Sequence, residues 1–337
     1  MPAVVTASVV VLKDFKEFEA TNVTGKIVLF SPLWQGYGKT VAYRGAWQRV
    51  KNKGGVGLLV KSITPFSIGS AHTGSGGSGA TIPTGCIPIE EVELIERLYN
   101  RQKEIVVQMS FKSTMKEETS SRNTVFEIKG SQWPNQIVLL SAHMDSWDVG
   151  QGAMDDGGGM AAVWQAMKCI LDMSKHDSNY APKRTIRGVF WTAEEQGYFG
   201  SQAYYKSHSS NSNENIFFVS ETDNGAFKPL NFNSSLKFAG NENQKNRIKQ
   251  IVQLLNEYEI PLSVRDSTDQ GDVGFWTKDK VPGVNYSSDK GANYYFYFHH
   301  SNGDYMTVFK EGDIDYTAAI FSSLAHVLAN MDDWKTE

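Results

Sequence analysis

The sequence is poor in cysteine and has no long apolar run, and each absence excludes a class of protein. Cys86 and Cys169 are the only cysteines among 337 residues, and no C-x-x-C pair occurs. Two distant cysteines do not build a disulfide framework, so we expect two buried free thiols. No apolar stretch approaches the ~20 residues of a transmembrane helix. Residues 1–15 alternate in polarity and lack the basic flank and cleavage site of a signal peptide, so they predict a strand.

The sequence also lacks an excess of charge of either sign. It has 33 lysines and arginines against 37 aspartates and glutamates, a formal net charge of −4. That balance does not favour a nucleic acid or an anionic membrane as partner, and we expect neither. The length predicts two domains, or one domain with a large insert, and it is enough to bury a sizeable core.

Two regions of different character follow one another along the chain. Residues 1–115 contain strand-like runs separated by glycine-rich turns, and residues 72–80 (HTGSGGSGA) predict a flexible loop. Residues 116–122 are polar and have no apolar anchor. We therefore predict a boundary there, with one domain over residues 1–115 and another over 116–337.

In the second region, strand-like segments alternate with helical ones. Residues 125–128 and 137–142 predict a pair of strands around a turn at residues 134 and 135. Residues 157–173 predict a helix, and residues 185–192 have the apolar character of a strand buried on both faces. This alternation predicts an α/β domain with a mostly parallel central sheet flanked by helices.

Acids and imidazoles follow several of the predicted strands. In open α/β sheets, binding sites form at the carboxyl ends of the strands. The polar residues that fall at or near such ends are His143, Asp145, Asp155, Glu194, Glu195, Asp223 and His300. We expect these groups to meet at one edge of one sheet.

Each of these residues alone is weak evidence for a site. A single histidine near a strand end is more often structural, and an acidic pair such as Glu194 and Glu195 is more often a solvated turn. Asp155 could be a helix N-cap. Together, the two histidines and three of the carboxylates would form the mixed nitrogen and oxygen shell that zinc takes. A carboxylate shared between two ions leaves each a position for water, as in two-metal hydrolases.

The local spacing adds two expectations. Residues i and i+2 leave a strand end on the same side, so we expect the Asp145 carboxylate to accept a hydrogen bond from the second ring nitrogen of His143. Adjacent Glu194 and Glu195 point in different directions, so one can bind metal while the other reaches a water molecule.

Four segments together resemble the zinc peptidase family M28. They are HMDSWDVGQGAMDDGGG (143–159), WTAEEQGYFGSQAYY (191–205), SETDNGAF (220–227) and FHHSNGDYMT (298–307). The resemblance covers nearly the whole chain and implies a zinc-exopeptidase fold with a mostly parallel mixed sheet. It also implies that residues 1–115 are a protease-associated (PA) insert, rich in β-strands, that acts as an accessory or lid domain. Because the chain starts at that insert, we expect the peptidase domain to lack the family's N-terminal segment.

The resemblance implies which residues hold two zinc ions. The first ion would be bound by His143, Asp155 and Asp223. The second would be bound by Asp155, Glu195 and His300, so that Asp155 bridges the two ions.

The resemblance also implies the roles of the remaining residues. Glu194 matches the general base, and Asp145 matches the carboxylate behind the first histidine ligand. The bond between Asp155 and Asp156 is expected to be cis. His300 is chosen as a ligand because the family places its last histidine four residues before an aspartate, here Asp304.

The reaction implied is hydrolysis of a peptide bond near a chain end, in short peptides or dipeptides, of the carboxypeptidase or dipeptidase type. Three alternatives stay open: a zinc aminopeptidase of the same fold, a one-zinc enzyme related to glutaminyl cyclases, and a truncated inactive form that acts only as a binding module. The resemblance further implies a homodimer and an extracellular or lysosomal location. Sequons at Asn22, Asn233 and Asn285 permit glycosylation.

Overall fold

The computed structural model describes residues 2–211, 213–332 and 334, and the chain divides into two units. The first unit takes residues 1–119, 147–150 and 296–303; the second takes residues 120–146, 151–295 and 304–337. The domain division at residues 115 and 116 remains a prediction, because a contact-defined unit is not the same object as a family's insert domain. No helix among the described residues is both long enough and apolar enough to span a membrane.

A five-stranded sheet forms the core of the first unit. Its strands are β1 (Pro2–Leu12), β2 (Ile27–Phe30), β3 (Gly57–Lys61), β4 (Thr84–Ile87) and β5 (Val106–Lys112). They lie in the order β4-β3-β2-β1-β5, and only the β1–β5 pairing is antiparallel. The helices that lie wholly within this unit are α1 (Phe15–Ala20), α2 (Tyr37–Thr40), α3 (Trp47–Asn52) and α4 (Ile89–Asn100).

Strand β2 shows why this sheet is stable. Successive side chains of a strand point to opposite faces, and here both faces are covered. Val28 and Phe30 pack into one buried apolar cluster, while Ile27 and Leu29 pack into another. A strand buried on both faces needs a continuous apolar run, which this strand has.

The second unit is built on a seven-stranded sheet. Its strands are β6 (Thr124–Ile128), β7 (Trp133–His143), β8 (Arg184–Trp191), β9 (Asn215–Thr222), β10 (Ser235–Ala239), β11 (Ser263–Asp266) and β12 (Gly283–Ser287). The remaining helices are α5 (Gly158–His176), α6 (Phe199–His208), α7 (Glu242–Glu257), α8 (Gly274–Lys278), α9 (Tyr295–Phe298) and α10 (Asp313–Asn330). The last three residues of α9 belong to the first unit.

The strand order of this sheet is β11-β10-β12-β9-β7-β8-β6. Strands β12, β9, β7 and β8 are parallel neighbours, while β6 and β10 each pair antiparallel with an adjacent strand. The predicted α/β class with a mixed, mostly parallel sheet and flanking helices is therefore confirmed.

Apolar side chains cover both faces of this sheet. On one face, Val138 of β7 packs in the same buried cluster as Val163 of α5 and Phe321 of α10. On the other face, Leu139 packs with Trp276 of α8. These apolar contacts fix the positions of the strands, and a site can form at their carboxyl ends.

The predicted turn at residues 134 and 135 is wrong. Strand β7 runs through both residues, with a register shift between Trp133 and Ile137 where Pro134 supplies no N–H. The Thr185 hydroxyl donates to the Pro134 carbonyl at 2.8 Å and accepts from the Gly130 N–H at 3.0 Å, which satisfies main-chain groups beside the irregularity. Strand β6 pairs with β8 and not with β7, so the two predicted strands are not neighbours.

Candidate metal centre

The ends of three adjacent strands bring the candidate residues of the second unit together. Strands β8, β7 and β9 are parallel neighbours, so their carboxyl ends meet at the same edge of the sheet. His143 is the last residue of β7, Glu194 and Glu195 follow β8, and Asp223 follows β9. Asp155 comes from the loop that precedes α5.

His143 lies between two of the carboxylates. Its Nε2 atom is 3.1 Å from Asp155 Oδ1 and 3.2 Å from Asp223 Oδ1, and its side chain is fully buried. Each of the three residues offers one ligand atom, and these atoms lie within 4.8 Å of one another. One imidazole nitrogen and two carboxylate oxygens facing a common point form a donor set that suits zinc.

The other ring nitrogen of His143 is fixed by the main chain. Its Nδ1 atom is 2.9 Å from the carbonyl oxygen of Asp145, whereas the nearest carboxylate oxygen of Asp145 is 3.9 Å away. The expectation that this carboxylate accepts from the ring is therefore wrong, because the chain turns after β7 and presents the carbonyl instead. An Nδ1–H that donates to a carbonyl leaves Nε2 with its lone pair, as a metal ligand requires.

The Asp145 carboxylate has a different structural task. Its two oxygens accept hydrogen bonds from the main-chain N–H groups of Glu194 at 3.0 Å and of Glu195 at 3.2 Å. The loop after β7 is thereby tied to the loop after β8. His143, Glu194 and Glu195 form a second group whose ligand atoms lie within 4.8 Å of one another.

The loop that carries Asp155 is held by Asp304. The Asp304 carboxylate accepts from the N–H of Met154 at 2.6 Å and from the N–H of Asp155 at 3.2 Å. Only 4% of Asp304 is exposed, so both hydrogen bonds are shielded from water. Sequence reasoning used Asp304 only to choose His300 and missed this positioning role; its spacing from His300 was the available signal.

The residue after Asp155 supports the centre from behind. The bond between Asp155 and Asp156 is cis, as expected. Asp156 is buried, and its Oδ2 atom accepts the main-chain N–H of His143 at 3.2 Å. A Cβ atom at Gly159 would collide with the Asp156 carboxylate, so α5 can begin this close to Asp156 only with glycine at position 159.

The electrostatics of the cluster favour a positive charge within it. Burial alone would lower the pKa of His143, but the carboxylates of Asp223 and Asp155 raise it well above its usual value. Burial and then the charge of Asp223 raise the pKa of Glu194 to about 10. Buried Asp156 also has a pKa well above normal, first through desolvation. The raised pKa values show that a positive charge is favourable among these carboxylates. A divalent cation would supply that charge, so the residues present fit a zinc centre.

His300 belongs to the first unit. Its Nδ1 atom lies 3.1 Å from the carbonyl oxygen of Thr73, and its own carbonyl accepts the Thr73 N–H at 2.8 Å. These two contacts fix the ring and the main chain of His300 against the loop predicted to be flexible. Its role as a metal ligand remains a prediction.

Comparisons with known proteins agree with this chemistry. The sequence model of Peptidase family M28 matches residues 123–325. Carboxypeptidase Q from Homo sapiens is 39% identical over 342 residues, which cover 98% of this chain and 69% of that protein. Carboxypeptidase Q from Bos taurus is 40% identical over 339 residues, with the same shares covered.

Solved structures share the fold. The crystal structure of a peptidase M28 precursor from Shewanella amazonensis has a TM-score of 0.87 at 29% identity and covers 97% of this chain and 74% of that one. A zinc aminopeptidase from Bacillus subtilis has a TM-score of 0.66 at 16% identity and covers 100% of this chain and 78% of that one. At that identity the second likeness shows the fold alone.

Proposed function

The chain belongs to peptidase family M28 and is a zinc-dependent exopeptidase, and we propose that it hydrolyses short peptides or dipeptides with Glu194 as the general base. The observation that carries the proposal is the position of His143. Its Nε2 atom lies 3.1 Å and 3.2 Å from the carboxylates of Asp155 and Asp223, and Glu194 belongs to a second group that shares His143. The relatives at 39% and 40% identity are named carboxypeptidases, which supports action at a carboxyl end.

Two zinc ions are proposed for the centre. One is assigned to His143, Asp155 and Asp223, and the other to Asp155, Glu195 and His300. When bound, zinc polarises a scissile carbonyl group and makes water a better nucleophile at neutral pH. The chain's own residues orient these ligands: Asp304 fixes the main chain of Asp155, and the Asp145 carbonyl fixes the ring of His143.

Glu194 is proposed to move the proton. It takes a proton from the attacking water and later gives that proton to the nitrogen of the leaving amine. Its main-chain N–H donates to the Asp145 carboxylate at 3.0 Å, which holds the residue at the strand end. Burial, and then the charge of Asp223, raise its pKa to about 10, and a bound cation would lower this pKa and favour the carboxylate form that a general base needs.

Three further proposals follow from the family resemblance alone. Residues 1–115 would form the PA-like accessory domain and narrow access for longer peptides. The chain would form a homodimer, and the protein would be extracellular or lysosomal. Size-exclusion chromatography with light scattering tests the dimer. A panel of peptides of increasing length tests whether longer substrates are excluded.

The test of the central proposal is the variant Glu194→Gln in zinc-loaded protein. The amide has the size of the carboxyl group but accepts no proton, so we expect full zinc content and loss of dipeptide hydrolysis by about a thousandfold. Glu257→Gln, an exposed position at the end of α7, is the matched control and should keep full activity. Undiminished hydrolysis in Glu194→Gln contradicts the role of general base. A zinc-loaded wild-type chain that hydrolyses no dipeptide contradicts the proposed substrate class.

A further inference from the structure

A lysine lies beside the acidic centre in the second unit. Lys237 is the middle residue of β10, between Leu236 and Phe238, which both point into the buried core. Because side chains alternate along a strand, Lys237 points to the opposite face of the sheet. There it stands across from Asn285 of β12, which in turn stands across from Glu221 of β9. This polar row leads to the strand that ends just before Asp223.

The ammonium group of Lys237 has a neutral partner. Its Nζ atom donates to Asn224 Oδ1 at 2.8 Å, and Asn224 directly follows the ligand candidate Asp223. An ammonium group has three N–H donors, so two remain without a protein acceptor among the described residues. The Gln270 side chain donates to the main-chain carbonyl of Lys237 at 3.0 Å, which holds β10 at this point.

The charge of Lys237 has no carboxylate hydrogen-bonded to it in the described part of the chain, although acids are near. Burial lowers the pKa of Lys237, and the carboxylates of Asp269 and Asp223 oppose that shift. A partly buried ammonium group is costly unless an anion completes its hydrogen bonds. If Lys237 served only to tie β10 to the Asn224 amide, its charge would not be needed, since a glutamine could donate the same hydrogen bond.

We propose that Lys237 binds a carboxylate group of the peptide substrate, an inference that rests on the proposed exopeptidase function. The two free N–H groups would form charge-assisted hydrogen bonds to the carboxylate. The same positive charge would repel a free α-ammonium group in that position. The centre would therefore differ from that of an aminopeptidase, which binds the amino end of its substrate. The carboxylate has two possible sources, the C-terminal α-carboxylate or an acidic side chain.

Binding measured by calorimetry tests the assignment without turnover. The parent protein is the zinc-loaded Glu194→Gln variant, and Lys237→Met is made in it. Alanyl-alanine and its carboxamide test the α-carboxylate. The carboxamides of alanyl-glutamate and alanyl-glutamine test the acidic side chain.

We expect Lys237→Met to weaken binding of the carboxylate ligand by about tenfold to a hundredfold, which corresponds to about 1.4–2.8 kcal/mol, and to leave its uncharged counterpart unchanged. Lys237→Arg should recover most of the loss. Lys249→Met, on the exposed face of α7, removes the same net charge and should leave both ligands unaffected.

The role of Lys237 and the proposed exopeptidase function can be contradicted independently. Equal weakening of charged and uncharged ligands, or none at all, overturns the role of Lys237 and shows a structural residue. A parent that binds none of the four ligands overturns it too. Suppose that the wild-type chain hydrolyses no peptide, while Lys237→Met in the Glu194→Gln parent still removes the preference for carboxylate ligands. That result supports the role of Lys237 and contradicts the proposed function.

Discussion

Asp304 offers a sharp test of how the centre is held, because it touches the loop of a proposed ligand through the main chain. The perturbation is a pair of variants, Asp304→Ala and Asp304→Asn. The first removes both acceptors of the Met154 and Asp155 N–H groups, and the second keeps one oxygen and removes the charge. The Asp304 carbonyl, which accepts from Gln151 at 3.0 Å, is unchanged in both.

The expected loss of stability follows from the two hydrogen bonds that Asp304 accepts. A hydrogen bond to a charged acceptor contributes about 1.5–3 kcal/mol, and a buried N–H left without a partner loses its full desolvation energy. We expect Asp304→Ala to lower the free energy of unfolding by about 3–5 kcal/mol and Asp304→Asn by about half of that. Since Asp155 is a proposed bridging ligand, zinc affinity should also fall by about tenfold to a hundredfold in Asp304→Asn.

Two assays separate these effects. Urea unfolding in the presence of a chelator gives the stability of the metal-free chain, and competition with a chromophoric chelator gives zinc affinity. Asp315→Asn, at an exposed position of α10, is the control and should stay within about 0.5 kcal/mol of the wild type. Wild-type stability and wild-type zinc affinity in Asp304→Ala would show that Asp304 does not hold the Asp155 loop.

Three predictions concern the scaffold, and urea unfolding measures each. Arg187 donates to both carboxylate oxygens of Glu214, at 2.9 Å and 3.1 Å, so Arg187→Met should cost about 3–5 kcal/mol at neutral pH. Because that bond to Arg187 lowers the pKa of Glu214, the stabilisation is present above about pH 4.3 and is lost as pH falls through the lowered value. Arg187→Met should therefore flatten the acid side of the stability profile, and an unchanged slope contradicts this. Phe218→Ala empties a fully buried site and should cost about 3–5 kcal/mol; less than about 1 kcal/mol would mean that the core collapses around it. Asn241 forms a capping box with Gln244 at the start of α7, so Asn241→Ala should cost about 1 kcal/mol, and no change would deny the cap.

The fold class could be predicted because long apolar segments carry their own signal. Residues 185–192 were predicted as a buried strand, and β8 spans Arg184–Trp191 with every residue buried. The short strands β10 and β11 were missed, since four or five residues of mixed polarity resemble a loop. Strand pairing was misjudged between β6 and β7 because neighbours in a sheet are set by contacts distant in sequence, which a local pattern does not contain.

In the candidate site, too, some features could be predicted from the sequence and others could not. Residue types and spacing pointed to His143, Asp155 and Asp223, and the structure brings these three side chains together. The atom that orients His143 was not predictable, because it depends on how the chain turns after β7. Asp304 lies about 150 residues from the loop it holds, and Lys237 comes from a strand that the pattern did not reveal.

Side chains from separate strand ends of the second unit are proposed to hold zinc. The most direct measurement is the zinc content per chain of purified protein by inductively coupled plasma mass spectrometry, for the wild type and for His143→Ala, after dialysis against trace zinc. We expect about two ions per chain in the wild type and a loss of about one or both in the variant. Equal zinc content in the two proteins, or none in the wild type, would contradict this proposal.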